Sequence, residues 1–264
     1  MTTIIGGTLT AGEVRAAWDD GVDDRSVRWL LALVAASAAG ALAAPAGVAF
    51  DGIVLVAMAA ATRDRGVRGV VATVLLLVPL LRLLWAGLSM RDIPPIGLTP
   101  TIGLTFIVAS WFVARSLELD RSALGLGRPT DLRPLVVVVA LFGVGGVLAA
   151  LLVGDLLTAA SLGDTPALLL PAFALIAALG EEIAFRGLPL AALEGVAIRR
   201  LVLVMLAVSM LLAFTAAPIP VAIVLALSSV GSMLALGLTG SLWGPVAGRT
   251  LFLVVWSIGL PFLA

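Results

Sequence analysis

The feature that most constrains this chain is a series of apolar runs, several of them long enough to cross a membrane as a helix. A helix needs about 18 to 20 apolar residues to cross the hydrocarbon core of a bilayer. The chain has 264 residues, of which 61% are hydrophobic and 12% are charged, whereas an ordinary soluble domain is about a quarter charged. The sequence therefore predicts an all-α fold, a polytopic bundle of transmembrane helices in the cell membrane.

Nine apolar segments are candidate spans, separated by charged residues or by Pro and Gly. The second segment is short and carries Asp51 near its start, so eight and nine crossings are both compatible with the pattern. The candidate segments are 29–47, 48–62, 69–89, 93–114, 134–153, 165–185, 201–217, 219–238 and 242–263.

The polar segments divide the chain and predict its orientation. Residues 1–28 form a polar tail that lacks the short apolar core of a cleaved signal peptide. Four spans follow within 29–114, then a polar loop at 115–133, and then a C-terminal bundle at 134–264. Positively charged loops stay in the cytoplasm, and the arginine clusters before span one and after spans two, four and six fall on one side. We therefore expect a multi-pass protein with a cytoplasmic N-terminus and a cytoplasmic 115–133 loop.

The residue inventory excludes several function classes. The formal net charge is zero, so no global field attracts nucleic acid. The chain contains no Cys, His, Lys, Asn, Gln or Tyr, and all sixteen basic residues are Arg. A GC-rich genome and a deliberately reduced residue alphabet would both thin these residue types. Without cysteine, disulfides and thiolate metal sites are excluded.

The stretch 180-GEEIAFRG-187 places three charged residues in a strongly apolar region. On a helix, Glu182 and Arg186 are four residues apart and share a face, which suits an ion pair. Glu181 is rotated by about 100° from Glu182, so the two carboxylates cannot engage Arg186 equally. Charges at membrane depth usually face the protein interior or a wet cavity, where a carboxylate can act as a general base on water. The alternative is a solvated cluster at the cytoplasmic end of span six.

Two phrases in the C-terminal bundle carry a family resemblance. The string 181-EEIAFRG-187 has the form EExxxR followed by Gly, and 241-SLWGPVAGRTLF-252 follows it at a suitable distance. Together they resemble the motifs of the CPBP (Abi) family of intramembrane endopeptidases, which includes the type II CAAX prenyl proteases. The resemblance covers about residues 134–258.

This resemblance implies a membrane-embedded endopeptidase that hydrolyses a peptide bond in a peptide or lipidated protein. Glu181 would activate water, and Glu182 and Arg186 would support it. The family's second motif, FxxxH, corresponds to 214-FTAAP-218, with Phe214 retained and Pro218 in place of histidine. Its third motif, HxxxN, corresponds to 249-RTLFL-253, with Arg249 and Leu253 in place of the histidine and the amide.

The substitutions at the family's histidine and amide positions make peptide hydrolysis less expected. Pro218 has no side-chain donor or acceptor. Leu253 cannot donate to a developing oxyanion, and losing one such donor costs about 10² to 10³ in rate. Two carboxylates without imidazole or thiolate make a poor zinc site, so no metal or other cofactor is expected. We therefore expect an impaired or inactive endopeptidase; the alternative is a non-catalytic scaffold or a binder of a peptide or lipid tail.

Other residues predict packing and pairing. Arg249 is expected to pair with Glu181 or Glu182, with snorkelling to the cytoplasmic face as the alternative. For Arg82, snorkelling is the favoured interpretation, and pairing with a carboxylate in the bundle is the alternative. The motif 142-FGVGG-146 supplies small residues for close helix packing.

Overall fold

The computed structural model of the protein describes residues 3–4, 7–8, 28–29, 31–33, 35–36, 39, 44–63, 67–89, 95–127, 132–157, 166, 168–193 and 219–263. Two short strands, β1 (Thr3–Ile4) and β2 (Gly7–Thr8), form an antiparallel pair in which Thr3 lies opposite Thr8. The other described segments are helices or the turns and loops between them. The prediction of an all-α fold is confirmed for the described residues from 28 onward.

The helices follow one another along the described parts of the chain. Described positions between 28 and 39 are helical. The helix bounds are α1 Ala44–Ala61, α2 Val67–Leu75, α3 Leu77–Ser89, α4 Pro95–Ser116, α5 Leu132–Leu157, α6 Leu170–Glu182, a π-helical turn Ile183–Gly187, α7 Leu188–Ala192, α8 Ile219–Thr239 and α9 Trp243–Leu263.

The helices differ from the predicted spans at two places, and proline accounts for both differences. The predicted break between residues 47 and 48 lies inside α1, which begins at Ala44 with Pro45 in its first turn, a position where proline's missing N–H costs nothing. The predicted span 69–89 is interrupted at Leu76. Pro79 has no N–H to donate to the carbonyl of residue 75, so the regular α-helical ladder fails there.

The number of membrane crossings stays a prediction. Within the described parts of the chain, one helical stretch, Leu132–Leu152, is both long and apolar enough to cross a bilayer. Shorter apolar stretches lie in α1, in α2 with α3, in α8 and in α9. The predicted span 201–217 lies outside the described residues. The cytoplasmic N-terminus and the division of the chain at 115–133 likewise stay predictions.

Helices α5 and α9 pack closely through the predicted small residues. Gly143 faces the side chain of Leu251, and a Cβ added at Gly146 would lie 2.9 Å from the carbonyl oxygen of Phe252. The numbers of the facing residues rise together, so α5 and α9 run parallel. The turn at 240–242 reverses the chain, and α8 therefore runs antiparallel to both.

A second close crossing fixes α6 against α4. A Cβ added at Gly180 would overlap the carbonyl oxygen of Gly103. Next to this crossing, the rings of Phe106 and Phe185 meet edge to face with centroids 5.1 Å apart, an arrangement that aromatic pairs prefer. These contacts hold the end of α6 and the π-helical turn in the interior.

The loop after α4 closes over the turn between α8 and α9. The Asp120 carboxylate accepts hydrogen bonds from the Ala123 N–H and the Ser122 hydroxyl, each at 2.7 Å, and these bonds lower the pKa of Asp120 because they favour its charged form. Gly125 has a φ of +74°, which glycine adopts without steric cost. Its carbonyl oxygen accepts a hydrogen bond of 2.9 Å from the Leu242 N–H.

A buried ion pair joins α1 and α3. Asp51 Oδ1 lies 3.3 Å from an Arg82 guanidinium nitrogen, and the two side chains are 5% and 16% exposed. The favoured prediction for Arg82, snorkelling, is therefore wrong, and the alternative of a carboxylate partner is right. A charge at membrane depth is costly alone, and an opposite charge on the neighbouring helix offsets that cost.

The glycine at the α4–α6 crossing provides a matched stability test. Gly180→Ala should destabilise the protein by about 1–3 kcal/mol, because the new methyl group meets backbone atoms of α4. Gly52→Ala in α1 meets nothing within 4 Å and should be neutral or stabilising by up to about 1 kcal/mol. Thermal unfolding in detergent measures both changes. Equal effects of the two substitutions would contradict the close crossing.

The Asp51–Arg82 pair predicts non-additive mutations. Arg82→Leu leaves the buried carboxylate of Asp51 without this partner and should cost about 3–5 kcal/mol. The double variant Asp51→Leu with Arg82→Leu should recover most of that loss, since no uncompensated charge is left. A double-mutant cycle of thermal unfolding, with Asp51→Leu as the second single variant, measures the coupling between the two side chains. If the losses of the two single variants simply add in the double variant, the ion pair contributes nothing to stability.

Candidate active site

Four charged side chains meet where α6, the π-helical turn, α8 and α9 converge. Glu181 and Glu182 end α6, Arg186 lies in the π-helical turn, and Arg249 comes from α9. Glu182, Arg186 and Arg249 are each at most 3% exposed. The structure therefore brings three predicted site residues and one substituted motif position together, in the protein interior.

The π-helical turn shapes the segment that carries the motif. Its backbone closes with the N–H of Leu188 donating to the carbonyl of Ile183, one residue further than in an α-helix. Such turns occur frequently at functional sites. Sequence reasoning missed this turn, although Pro189 gives a signal for it, because proline cannot donate the α-helical hydrogen bond to Phe185.

Glu182 and Arg186 form the predicted ion pair. An Arg186 terminal nitrogen donates to Glu182 Oε1 at 2.9 Å, with the two side chains 3% and 0% exposed. The other terminal nitrogen of Arg186 donates to Ser229 on α8, at 2.7 Å to the hydroxyl and 3.2 Å to the backbone carbonyl. The pairing and the serine together compensate two charges that burial would otherwise penalise.

Glu181 pairs instead with Arg249, as the sequence predicted. Arg249 approaches Glu181 Oε2 through Nε at 3.0 Å and through a terminal nitrogen at 2.7 Å. The remaining terminal nitrogen of Arg249 hydrogen-bonds the hydroxyl of Ser228. The snorkelling alternative for Arg249 is wrong, because its side chain is 3% exposed. The prediction that the two carboxylates cannot engage Arg186 equally is confirmed.

Ser228 and Ser229 are site residues that sequence reasoning missed. They lie in 228-SSVGS-232 of α8, and both are buried. Three serines within five residues of an otherwise apolar helix were the available signal, because a buried hydroxyl needs a hydrogen-bond partner. Each of the two arginines uses one of these serines as a further acceptor.

The arrangement separates the two carboxylates by accessibility. The Glu181 side chain is 20% exposed, whereas that of Glu182 is fully buried. Glu181 is thus the carboxylate that water or a substrate could reach. Its partner Arg249 carries only donors and cannot accept a proton, so this pair cannot relay a proton as a glutamate and an imidazole could.

The remaining motif positions contribute no polar group that the structure describes. Phe214 and Pro218 lie outside the described residues. Leu253, one turn beyond Arg249 on α9, packs against the apolar cluster that includes Val138 and Phe142. The position that carries the family's amide is therefore apolar in its surroundings as well as in its side chain.

The charged cluster is a poor fit to a metal ion. In the part of the chain that the structure describes, no three His, Cys, Asp or Glu side chains group as a metal site requires. The two motif carboxylates are each engaged by an arginine, and a guanidinium repels a cation. That the protein uses no cofactor remains an expectation.

The fold and the cluster together define a helical protein with two buried ion pairs among its C-terminal helices. Residues 163–255 match the family described as type II CAAX prenyl endopeptidase, Rce1-like. This match confirms, for that segment, the resemblance drawn from the two motifs. The matched segment contains the whole charged cluster. No curated protein and no solved structure matches the chain.

The two ion pairs predict a selective rescue. Arg249→Leu should lower thermal stability by about 3–5 kcal/mol if it leaves Glu181 as an uncompensated charge in the interior. Adding Glu181→Gln should recover part of that loss, because the neutral amide no longer needs the guanidinium. Adding Glu182→Gln is the matched control: it disturbs the other pair and should deepen the loss. Equal rescue by both glutamine substitutions in thermal unfolding would contradict the separate pairing.

Proposed function

We propose that this chain is a non-hydrolysing member of the type II CAAX prenyl endopeptidase family that binds a peptide or lipidated protein tail in the membrane. The single observation that carries the proposal is the engagement of Glu181 Oε2 by two nitrogens of Arg249. In the family resemblance, Glu181 is the group that activates water. Here that group is neutralised by a side chain standing at the histidine position.

Chemical requirements of peptide hydrolysis support the same proposal. A general base must reach the water that it deprotonates, and donors must stabilise the oxyanion that forms. Pro218 and Leu253 offer neither a base nor a donor. Arg249 could face an oxyanion only by giving up part of its contact with Glu181 or Ser228. Binding requires none of these proton transfers, so it survives the substitutions.

The family match supports residence in a membrane, and that location limits the ligands that can reach the site. A substrate-like ligand would be a peptide or a lipidated protein, presented from the bilayer to the C-terminal helices. The formal net charge of zero argues against nucleic acid as a partner. The cell membrane is the proposed location, with several crossings and a cytoplasmic N-terminus.

The second candidate function is the endopeptidase itself, and one observation favours it. Glu181 is partly exposed while Glu182 is not, which is the asymmetry expected of a base with a supporting partner. In that reaction Glu181 would take a proton from water as the water oxygen attacks the peptide carbonyl carbon. The amide nitrogen would then leave with a proton.

Cleavage and binding should be measured on the same detergent-purified protein. A quenched peptide library reports hydrolysis, and the anisotropy of a fluorescent farnesylated peptide reports binding. We expect wild type to bind without cleaving. The variants are Glu181→Gln, the pair Pro218→His with Arg249→His, and Arg249→Leu as the control that releases Glu181 without supplying an imidazole.

Each outcome separates the two candidates. Cleavage by wild type that disappears in Glu181→Gln would establish the endopeptidase and overturn the proposal. Binding by wild type, with cleavage appearing only in the histidine pair, would support a family scaffold whose chemistry is suppressed by the substitutions. Neither binding nor cleavage by a folded wild type would contradict a peptide or lipidated tail as the ligand.

A further inference from the structure

An apolar groove runs along the outer side of the C-terminal helices, between α5 and α8. Its walls extend from Val138 to Leu152 on α5 and from Val224 to Leu238 on α8, and Phe252 of α9 forms its floor. Glycine and alanine residues line the middle of the groove, where their small side chains leave space. Exposed leucines of both helices form its rims. Among the lining residues that the structure describes, Ser228 is the one with a polar side chain, and its hydroxyl is bound to Arg249.

The dimensions of the groove fit one hydrocarbon chain. Each wall covers fourteen residue steps, about 21 Å of helix. The cavity along that length has a volume of about 390 Å³. The groove is therefore elongated, a shape that suits a single extended hydrocarbon chain.

The two ends of the groove differ in chemistry. Because α5 and α8 are antiparallel, Val138 and Leu238 lie at the same end, beside the turn that leads into Trp243. Tryptophan marks membrane–water interfaces, and the Trp243 ring nitrogen donates to the carbonyl of Leu126 in the polar loop. Arg133, exposed in the first turn of α5, precedes Val138 by five residues, about 7.5 Å along the helix.

We propose that the groove holds one acyl chain of an anionic phospholipid whose phosphate is met by Arg133. The apolar walls match the chain, and the cationic end matches the head group, since a basic residue near the membrane surface attracts anionic lipid. A chain of one leaflet spans about 15 Å of hydrocarbon, so the groove can contain its whole length. The proposal does not depend on hydrolysis or on binding of a peptide at Glu181.

The test is retention of lipid by the full-length protein. The protein is reconstituted in vesicles of equal dipalmitoyl phosphatidylglycerol and dipalmitoyl phosphatidylcholine, extracted in mild detergent, and weighed by native mass spectrometry. We expect one phosphatidylglycerol to remain bound to each wild-type chain. Replacing the palmitoyl chains by eight-carbon chains should reduce retention at least tenfold.

Two variants with matched controls locate the site. Gly145→Leu should abolish retention by filling the groove, since a Cβ there meets only ordinary contacts with Phe252; Val144→Leu, an exposed neighbour outside the lining, should not. Arg133→Ser should reduce the preference for phosphatidylglycerol about fivefold. Arg63→Ser, an exposed arginine after α1, should leave it unchanged.

Several results would overturn the assignment. Equal retention in Gly145→Leu and Val144→Leu would place the lipid elsewhere, and no retained lipid in wild type would remove the site. Displacement of phosphatidylglycerol by geranylgeranyl phosphate would assign the groove to an isoprenoid instead of an acyl chain. If Gly145→Leu does not fold, the Arg133→Ser and chain-length comparisons decide alone. Peptide binding and cleavage, measured separately, should be the same in Gly145→Leu and wild type.

Discussion

Neutralisation of buried charge is the constraint on which the C-terminal half of this structure depends. Two glutamates and two arginines lie together among apolar helices, and each glutamate has its own arginine: Glu182 with Arg186, and Glu181 with Arg249. The first pair is local to one helical segment, whereas the second ties α6 to α9. Removing any one of the four would leave an uncompensated charge in a region that solvates charge poorly. The position of α9 beside α6 is therefore an electrostatic requirement as well as a packing result.

The same neutralisation carries the proposal that the site binds without hydrolysing. An imidazole beside a carboxylate can exchange a proton with it, but a guanidinium only donates. In the proposed function, Arg249 supplies permanent charge where the family resemblance implies a proton-transfer partner. Its contacts with Glu181 and Ser228 use all three guanidinium nitrogens. A site built in this way is stable without a substrate, which suits a protein that binds and does not hydrolyse.

The parts of the site that sequence predicts are those set by local geometry or by charge balance. The spacing of Glu182 and Arg186 fixes their shared face, and the scarcity of other buried charges leaves Arg249 with few partners besides the motif glutamates. The two sequence motifs that resemble the family then indicate which helices of the chain carry the site. The sequence did not predict the pairing of Arg82 with Asp51, because it depends on which helices become neighbours, a non-local property. The π-helical turn and the serines were missed for a related reason: hydroxyls in an apolar helix show that partners exist but not which ones.

Helix α8 connects the charged cluster to the outer groove, and its two faces have different requirements. The serine face holds the arginines, so its residues are constrained by hydrogen bonding to buried charge. The leucine face lines the apolar groove that we propose for an acyl chain, where shape matters and polarity is excluded. Ser228 belongs to both faces, since it lines the groove and binds Arg249. A substitution at Ser228 would therefore change the groove wall and the support of the Glu181–Arg249 pair together, whereas substitutions at the rim leucines would alter the groove alone. The groove surface can thus vary while the charged cluster is kept, provided that this one hydroxyl remains.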